Sequence, residues 1–530
     1  MTFYKPDNAE IFSTLSTPSR VVIFVCAIIA VSLLRNKFRS GLRNIPGPTL
    51  AAYTALWRWH DVRKGQAHQT AINLHRKYGP LVRIGPNHVS VSDPQEIKKI
   101  YGLKSGYTKT GFYPIQSITW KGKPEVNLFG TRDEAYHREM KKPIANAFSL
   151  TTLLTNEPAV DSCTNLLIEK LVKFSDGKNP IDLGEWIQFY TFDVVGELTF
   201  AKKLGFLETG GDVDGMIETI EGILTYASQI GQIPVWHNFL LGNPLLPYLI
   251  PSMENWNAVL TFTLKAVNSV LGIDGDTGGS LKKGGELDVE ALDQRGDMLS
   301  KWYSVKLATP ERMSTRDIVV HLSTNVFAGS DTTAIAIRAV LYHLLRNPDK
   351  MQKVVREIDT AAAEGKLSQP ISFKESTNHL PYMQAAIKEG IRIHPSVGLL
   401  LERHVPQGGS VICGKHIAEG TIVGINAWVT QHDQDVFPTP DAFQPERWID
   451  ASEEELKIME QSFFAFGAGT RTCIGRHIAV MEMAKIIPEL LKTFEISLAD
   501  PGSEWKTKNI WFVQQEGLIC NLKRRVNSRD

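Results

Sequence analysis

Cysteine is scarce in this chain. Its 530 residues hold five (Cys26, Cys163, Cys413, Cys473 and Cys520), an odd number, scattered and without a C-x-x-C pair. That excludes a disulfide framework or a zinc ribbon and, with no N-x-[ST] sequon, fits a reducing compartment. A basic excess is lacking too. Lys and Arg number 58 against 57 Asp and Glu, so no charge imbalance calls for a nucleic-acid partner. The glycine-rich stretch from Ile273 to Gly296 lacks the strand and the G-K-[ST] of a phosphate loop, and reads as a mobile exposed loop. Long apolar runs are absent but for one, Val21 to Leu34.

That run falls short of the ~20 residues a spanning helix needs. Extending it back to Ile11 reaches the length but takes in Pro18 and Arg20, and Arg20 would have to snorkel. Arg35, Lys37, Arg39 and Arg43 follow the run, the reverse of a cleaved signal peptide, and place the remainder on the cytosolic side. Ile45-Pro46-Gly47-Pro48 cannot continue a helix and reads as a stiff hinge. The expected division is a membrane anchor with its basic flank over 1–44 and one body over 45–530.

The chemistry gathers near the C-terminus, in Phe466-Gly467-Ala468-Gly469-Thr470-Arg471-Thr472-Cys473-Ile474-Gly475. Three glycines allow tight turning and close approach to a flat partner. Arg471 offers a fixed charge two residues before Cys473. The apolar spacing from Ile478 to Leu491 predicts a helix just after the sulfur, whose N-terminus favours thiolate. Such a thiolate serves as a nucleophile or as an iron ligand. Upstream, Ser314 and Asp317 cap a long helix that ends at Asn347-Pro348. In its middle stands Ala328-Gly329-Ser330-Asp331-Thr332-Thr333, where glycine and paired hydroxyls are poor local choices and point to a functional site. Glu389 and Arg392 share a helix face at i,i+3.

F-x-x-G-x-R-x-C-x-G, [AG]-G-x-[DE]-T-[TS], E-x-x-R and the Pro445-Glu446-Arg447-Trp448 segment occur in the order seen in the cytochrome P450 family, which this chain resembles from the Pro-Gly hinge to residue 525. Its overall flavour, including Tyr107-Thr108-Lys109-Thr110-Gly111-Phe112-Tyr113, is similar to fungal microsomal members of secondary metabolism of the pisatin-demethylase type.

The resemblance implies a mainly α fold with small β-sheets behind a single N-terminal transmembrane helix. It implies haem b with Cys473 as axial thiolate ligand, and Phe466, Arg471, Gly475, Arg403, Lys141 and Gly329 as haem contacts. Gly329 would permit close approach of the helix to haem. Lys141 stands where the family commonly has the arginine of W-x-x-x-R, and His137 where it has the tryptophan; lysine can meet a propionate only as a point charge. Asp331 and Thr332 would deliver the protons that O–O cleavage consumes. Glu389, Arg392 and Arg447 would form a buried triad bracing the cysteine loop. Phe112, Phe129, Val326, Phe327, Leu399, Leu400, Trp511 and Val513 would line an apolar substrate pocket.

With too few residues left for a flavin domain, electrons would come from NADPH–cytochrome P450 reductase on the endoplasmic reticulum membrane, with cytochrome b5 as a further donor. The product would be an oxidised lipophilic molecule such as a terpenoid, polyketide or alkaloid. The competing classes are a haem-thiolate isomerase or dehydratase needing no reductase, a non-catalytic haem sensor, and a monooxygenase detoxifying a plant defence compound.

Two hairpins are expected: Leu81–Ile84 with His88–Val91, and Val411–Gly414 with Gly420–Val423. One helix is expected over Thr131–Phe148.

Overall fold

The computed structural model describes residues 17–120, 123–176, 179–243, 245, 258–271, 282–283 and 286–525. Helix α1 (Thr17–Lys37) carries the apolar run, has a mean hydropathy of 2.1 over its apolar window, and buries none of its residues. Pro18 sits in its first turn, where a missing N–H costs nothing. The helix reaches forward to Lys37, past the end of the apolar run, while the backward extension to Ile11 lies outside the described residues. Among the described residues it is the one helix long and apolar enough to cross a membrane.

The segment after α1 is docked, not hinged. Leu42 and Ile45 are buried. The Arg83 guanidinium donates to the carbonyls of Lys37 (2.9 Å) and Asn36 (2.5 Å), and its backbone N–H donates to Pro46 O at 2.7 Å. A Cβ on Gly47 would stand 2.1 Å from Arg83 O, so glycine is required by close approach.

After one turn of helix over Thr49–Tyr53 comes the short helix α2 (Leu56–Arg63). β1 (Leu81–Gly85) and β2 (His88–Val91) form the expected hairpin and enter a five-stranded sheet with β3 (Thr108–Lys109) and strands from far along the chain. α3 (Glu134–Ile144) starts at an Asp133 cap, later than Thr131, and tightens to a 3-10 turn over Ala145–Phe148. α4 (Leu183–Phe200) buries nearly all its residues and packs along α5 (Thr315–Arg346), the central helix. The Ser314–Asp317 capping box and the end at Arg346 stand where the sequence places them.

α6 (Pro381–Ile393) carries Glu389 and Arg392. Then come β4 (Arg403–His404), β5 (Ser410–Ile412), β6 (Lys415–Ile417) and β7 (Ile422–Ile425). The expected pairing of 411–414 with 420–423 is not formed. β5 pairs with β6 around Cys413-Gly414, both at positive φ (46° and 72°), a two-residue turn of the I′ kind. β7 instead lies parallel to β2 and antiparallel to β4, in the order β1-β2-β7-β4-β3. α7 (Arg476–Thr493) follows the cysteine, and β8 (Lys506–Asn509) and β9 (Val513–Glu516) close a last hairpin.

Much of the Ile273–Gly296 stretch lies outside the described residues. Within it Lys282–Lys283 pair with Glu286–Leu287, and Val289–Arg295 is helical.

Candidate active site

The cysteine loop is folded by its own sequence. Cys473 N–H donates to Phe466 O (2.9 Å), and Gly467 and Gly469 both adopt φ +66°. A Cβ on Gly469 would stand 1.7 Å from Tyr101 O. The sulfur is exposed at its tip though walled by protein. Burial raises the thiol, while the N–H groups of Gly475 and Arg476 at the start of α7, and the charges of Arg476 and Lys141, favour thiolate. Arg471 does not serve as the nearby charge. Its guanidinium is committed to Glu134 (2.8–3.1 Å) and Leu128 O. Lys141 takes that place, its ammonium donating to Thr470 O at 3.3 Å.

Behind the loop stands the triad. Arg392 forks onto Glu389 with two bonds of 2.8 Å, and Arg447 Nε reaches Glu389 Oε1 at 3.0 Å. Two members went unread in the sequence. Trp448 Nε1 donates to Glu389 Oε2 at 2.9 Å, and Gln431 connects the triad to the loop. Arg392 donates to Gln431 O, the Gln431 amide returns to Ile391 O and Arg392 O, and its Oε1 accepts from Phe464 N–H at 2.8 Å. The brace thus ends two residues before Phe466.

A second group is cationic. Arg403 is buried, donates to Tyr113 Oη (3.0 Å) and Glu402 O, and lies over the Tyr101 ring. Lys109, missed in the sequence although it lies in the aromatic run before Tyr113, is buried with its ammonium on Phe129 O at 2.6 Å. Neither makes an ion pair among the described residues. Burial, with Arg403 and Arg471 nearby, holds Lys109 well below its ordinary value. An anion docking there would relieve both costs.

These residues fit a haem. A thiol lies at a helix N-terminus, two buried cations lack carboxylates, and Gly475 faces open space with no protein atom within 4 Å of an added Cβ and an ordinary φ of −83°. Neither strain nor packing among the described residues requires glycine at 475; close approach of a flat group would.

On α5, Ala328 and Thr332 share the accessible face, one turn apart. Thr332 Oγ1 donates to Ala328 O (2.9 Å), and Thr332 O accepts from Ser396 Oγ (2.8 Å). Asp331 is buried. Its Oδ1 accepts from Gln188 Nε2 at 2.7 Å, Gln188 Oε1 accepts from Arg338 at 3.0 Å, and Oδ2 has no partner among the described residues. Burial pushes Asp331 up to about 6, against the Gln188 bond and the Arg338 charge.

Three expected roles change. A Cβ on Gly329 would meet Val195 Cγ2 of α4 at 3.0 Å, so its smallness serves the α4–α5 contact and not the cleft. Val326 is fully buried, about 200° around the helix from Ala328; Ala328 holds the lining position. Val513 packs with Ala71, Ile72, Trp428 and Val429 and against Gly398, behind the residues that line the cavity. Phe112, Phe129 and Trp511 do meet, with ring centroids 5.0–5.9 Å apart, and Leu399 and Leu400 line a cavity with Phe112. Phe327 is half-buried against the main core. Trp511 is held at φ 95°, strained for a side-chain-bearing residue, by bonds to Gly398 and from Val513 to Ser396.

Cys413 is a half-exposed thiol, clustered with Asp93 and Glu96. Burial and those acids push it up to about 12, the opposite of what a thiolate ligand needs.

The family model described as Cytochrome P450 matches residues 46–520. A cytochrome P450 monooxygenase of Aspergillus terreus is 38% identical over 504 residues, covering 92% of this chain and 96% of its own. The cytochrome P450 monooxygenase cicH of Emericella nidulans is 37% identical over 94% of this chain and 97% of its own. A pisatin demethylase of Fusarium vanettenii is 35% identical over 98% and 97%.

Proposed function

The chain belongs to the cytochrome P450 family of haem-dependent monooxygenases, and from that premise we propose that it is a membrane-anchored enzyme oxidising a lipophilic secondary metabolite with electrons from a separate reductase. Bound haem supplies dioxygen activation, which thiolate ligation favours. Cys473 is the ligand, held as thiolate by the N–H groups of Gly475 and Arg476. Arg403 and Lys109 would hold the propionates, Arg471, bonded to Glu134 and Leu128 O, would fix the wall beside them, and Lys141 would add its charge near the sulfur. The Glu389–Arg392–Arg447 brace, through Gln431, keeps the loop in shape while haem enters.

Asp331 carries the reading. A buried carboxyl with one free oxygen, titrating near 6, stands beside a threonine on the accessible face of the same helix. It can hold a proton near neutrality and pass it to Thr332, as reductive cleavage of dioxygen requires. An isomerase that rearranges a peroxide has no use for such a relay. α1 would hold the body on the cytosolic face of the endoplasmic reticulum beside NADPH–cytochrome P450 reductase, with cytochrome b5 as a further donor. The relative named for demethylating pisatin motivates the detoxifying alternative.

Reconstitution tests both halves. The reduced carbonyl complex is expected to show the red-shifted band of thiolate ligation, lost in Cys473→Ala. Turnover is expected to need NADPH and reductase; product formed without either would sink the monooxygenase reading.

A further inference from the structure

A narrow slot opens between α2, the helix Ala67–Tyr78 and the loop carrying Leu399 and Leu400. Its free volume is ≈ 50 Å³, room for ~3–4 water-sized groups and not for a whole substrate. One wall is apolar: Phe112, Leu399 and Leu400, the residues assigned above to the substrate side. The other carries Arg58, which is 5% exposed. Arg58 Nη2 donates to Gln232 Oε1 at 2.7 Å and to Glu402 Oε1, and Glu402 Oε2 accepts from Thr110 Oγ1 at 2.8 Å. Arg58 Nη1 has no partner among the described residues. Leaving a buried guanidinium N–H unbonded is costly, and the cost is recovered if a ligand supplies the acceptor.

The acceptor's charge follows from the surroundings. Glu402 already balances Arg58, and Asp61 also lines the slot. His88, 3.9 Å from Glu402, is kept neutral by burial and the Arg58 charge. An added anion would face two carboxylates with no free cation. We propose that the slot is a polar subsite of the substrate pocket, where Arg58 Nη1 donates to an uncharged oxygen, such as a ketone, lactone or ether, at one end of a lipophilic substrate. This rests on the monooxygenase reading and narrows its substrate class.

The test uses the haem-loaded full chain and three probes on one naphthalene ring: 2-acetylnaphthalene, 2-ethylnaphthalene and 2-naphthoate. Equilibrium dialysis measures their binding. The ketone is expected to bind at least about tenfold more tightly than the hydrocarbon, the value of one bond to a charged donor, and more tightly than the carboxylate. Arg58→Lys, whose single ammonium stays on Glu402, should bring the ketone-to-hydrocarbon ratio near one. The double variant Arg58→Met with Glu402→Gln, which keeps the site charge-balanced, should do the same. A wild-type ketone that fails to out-bind the hydrocarbon, whether both bind or neither does, overturns the proposal. So does a preference that survives both variants, or naphthoate binding best. The reduced carbonyl band is recorded in parallel: its absence from the wild type would count against the haem-thiolate assignment, not the subsite.

Discussion

Buried charge is handled differently in two regions of the molecule. Behind Cys473, Glu389 accepts from Arg392, Arg447, Trp448 and the Gln444 backbone, so both its oxygens are filled. Around the cleft, Asp331 Oδ2 and Arg58 Nη1 have no partner, and Lys109 and Arg403 no carboxylate, among the described residues. A satisfied network is rigid and fixes geometry. An unsatisfied group keeps its chemistry available, to a proton, a propionate or a substrate oxygen. The brace behind Cys473 is therefore built to hold shape and the unsatisfied groups around the cleft to react and bind.

The strongest way to break this contrast is Glu389→Gln. It strands Arg392 in a site with no exposure and should cost about 3–5 kcal/mol. The expected result is protein with little or no haem and a lowered melting temperature. A variant that retains haem at the wild-type ratio would show that the brace does not shape the loop.

Asp331→Asn should act in the opposite sense on stability. The unfolded carboxyl ionises near 4 and the folded one near 6. Folding is therefore unpenalised below about 4, loses stability as pH rises between the two values, and carries the full cost of about 3 kcal/mol above 6. Asparagine removes that cost, so the variant should melt higher than wild type at pH 7.5, with the gap shrinking toward pH 5. Turnover should fall by about 10²-fold. A variant that loses stability, or keeps full turnover, would remove Asp331 from the relay.

Gly475→Ala separates haem fit from protein fit. The added methyl meets no protein atom, so apoprotein stability should stay within about 0.5 kcal/mol, while haem affinity, measured by transfer to apomyoglobin, should fall about tenfold. Equal haem affinity would mean that close approach is not what keeps glycine there.

The sequence made legible whatever is encoded by short spacing. The Ser314 capping box, the stop at Asn347, the Glu389–Arg392 pair and the turn of the cysteine loop depend on residues within a few positions of one another. What it hid depends on partners far along the chain. Gln431 links Arg392 to Phe464 through bonds spanning 39 and 33 residues, and no local pattern marks it. Pro46-Gly47-Pro48 is stiff, as proline dictates, but its docking on Arg83 required the folded sheet. Gly329 broke a helix rule, and the rule-break was real; the neighbour explaining it is Val195, on another helix. Lys109 alone left a trace, as a basic residue between Tyr107 and Tyr113.

The smallest effect sharpens the comparison most finely, because it concerns two residues on one helix. Val326 is fully buried and Ala328 is exposed toward the cleft. Val326→Ala removes two methyl groups from a packed core and should cost about 2 kcal/mol, with binding of 2-ethylnaphthalene unchanged. Ala328→Val adds two methyl groups where no core must yield, so the melting temperature should hardly move. Those methyl groups stand one turn from Thr332, on the face where substrate must approach, so 2-ethylnaphthalene should bind several-fold differently. The reverse pattern, with binding sensitive at 326 and stability at 328, would require α5 to be rotated by about half a turn. The Thr332 hydroxyl would then point into the core, and the proton route through it would be closed.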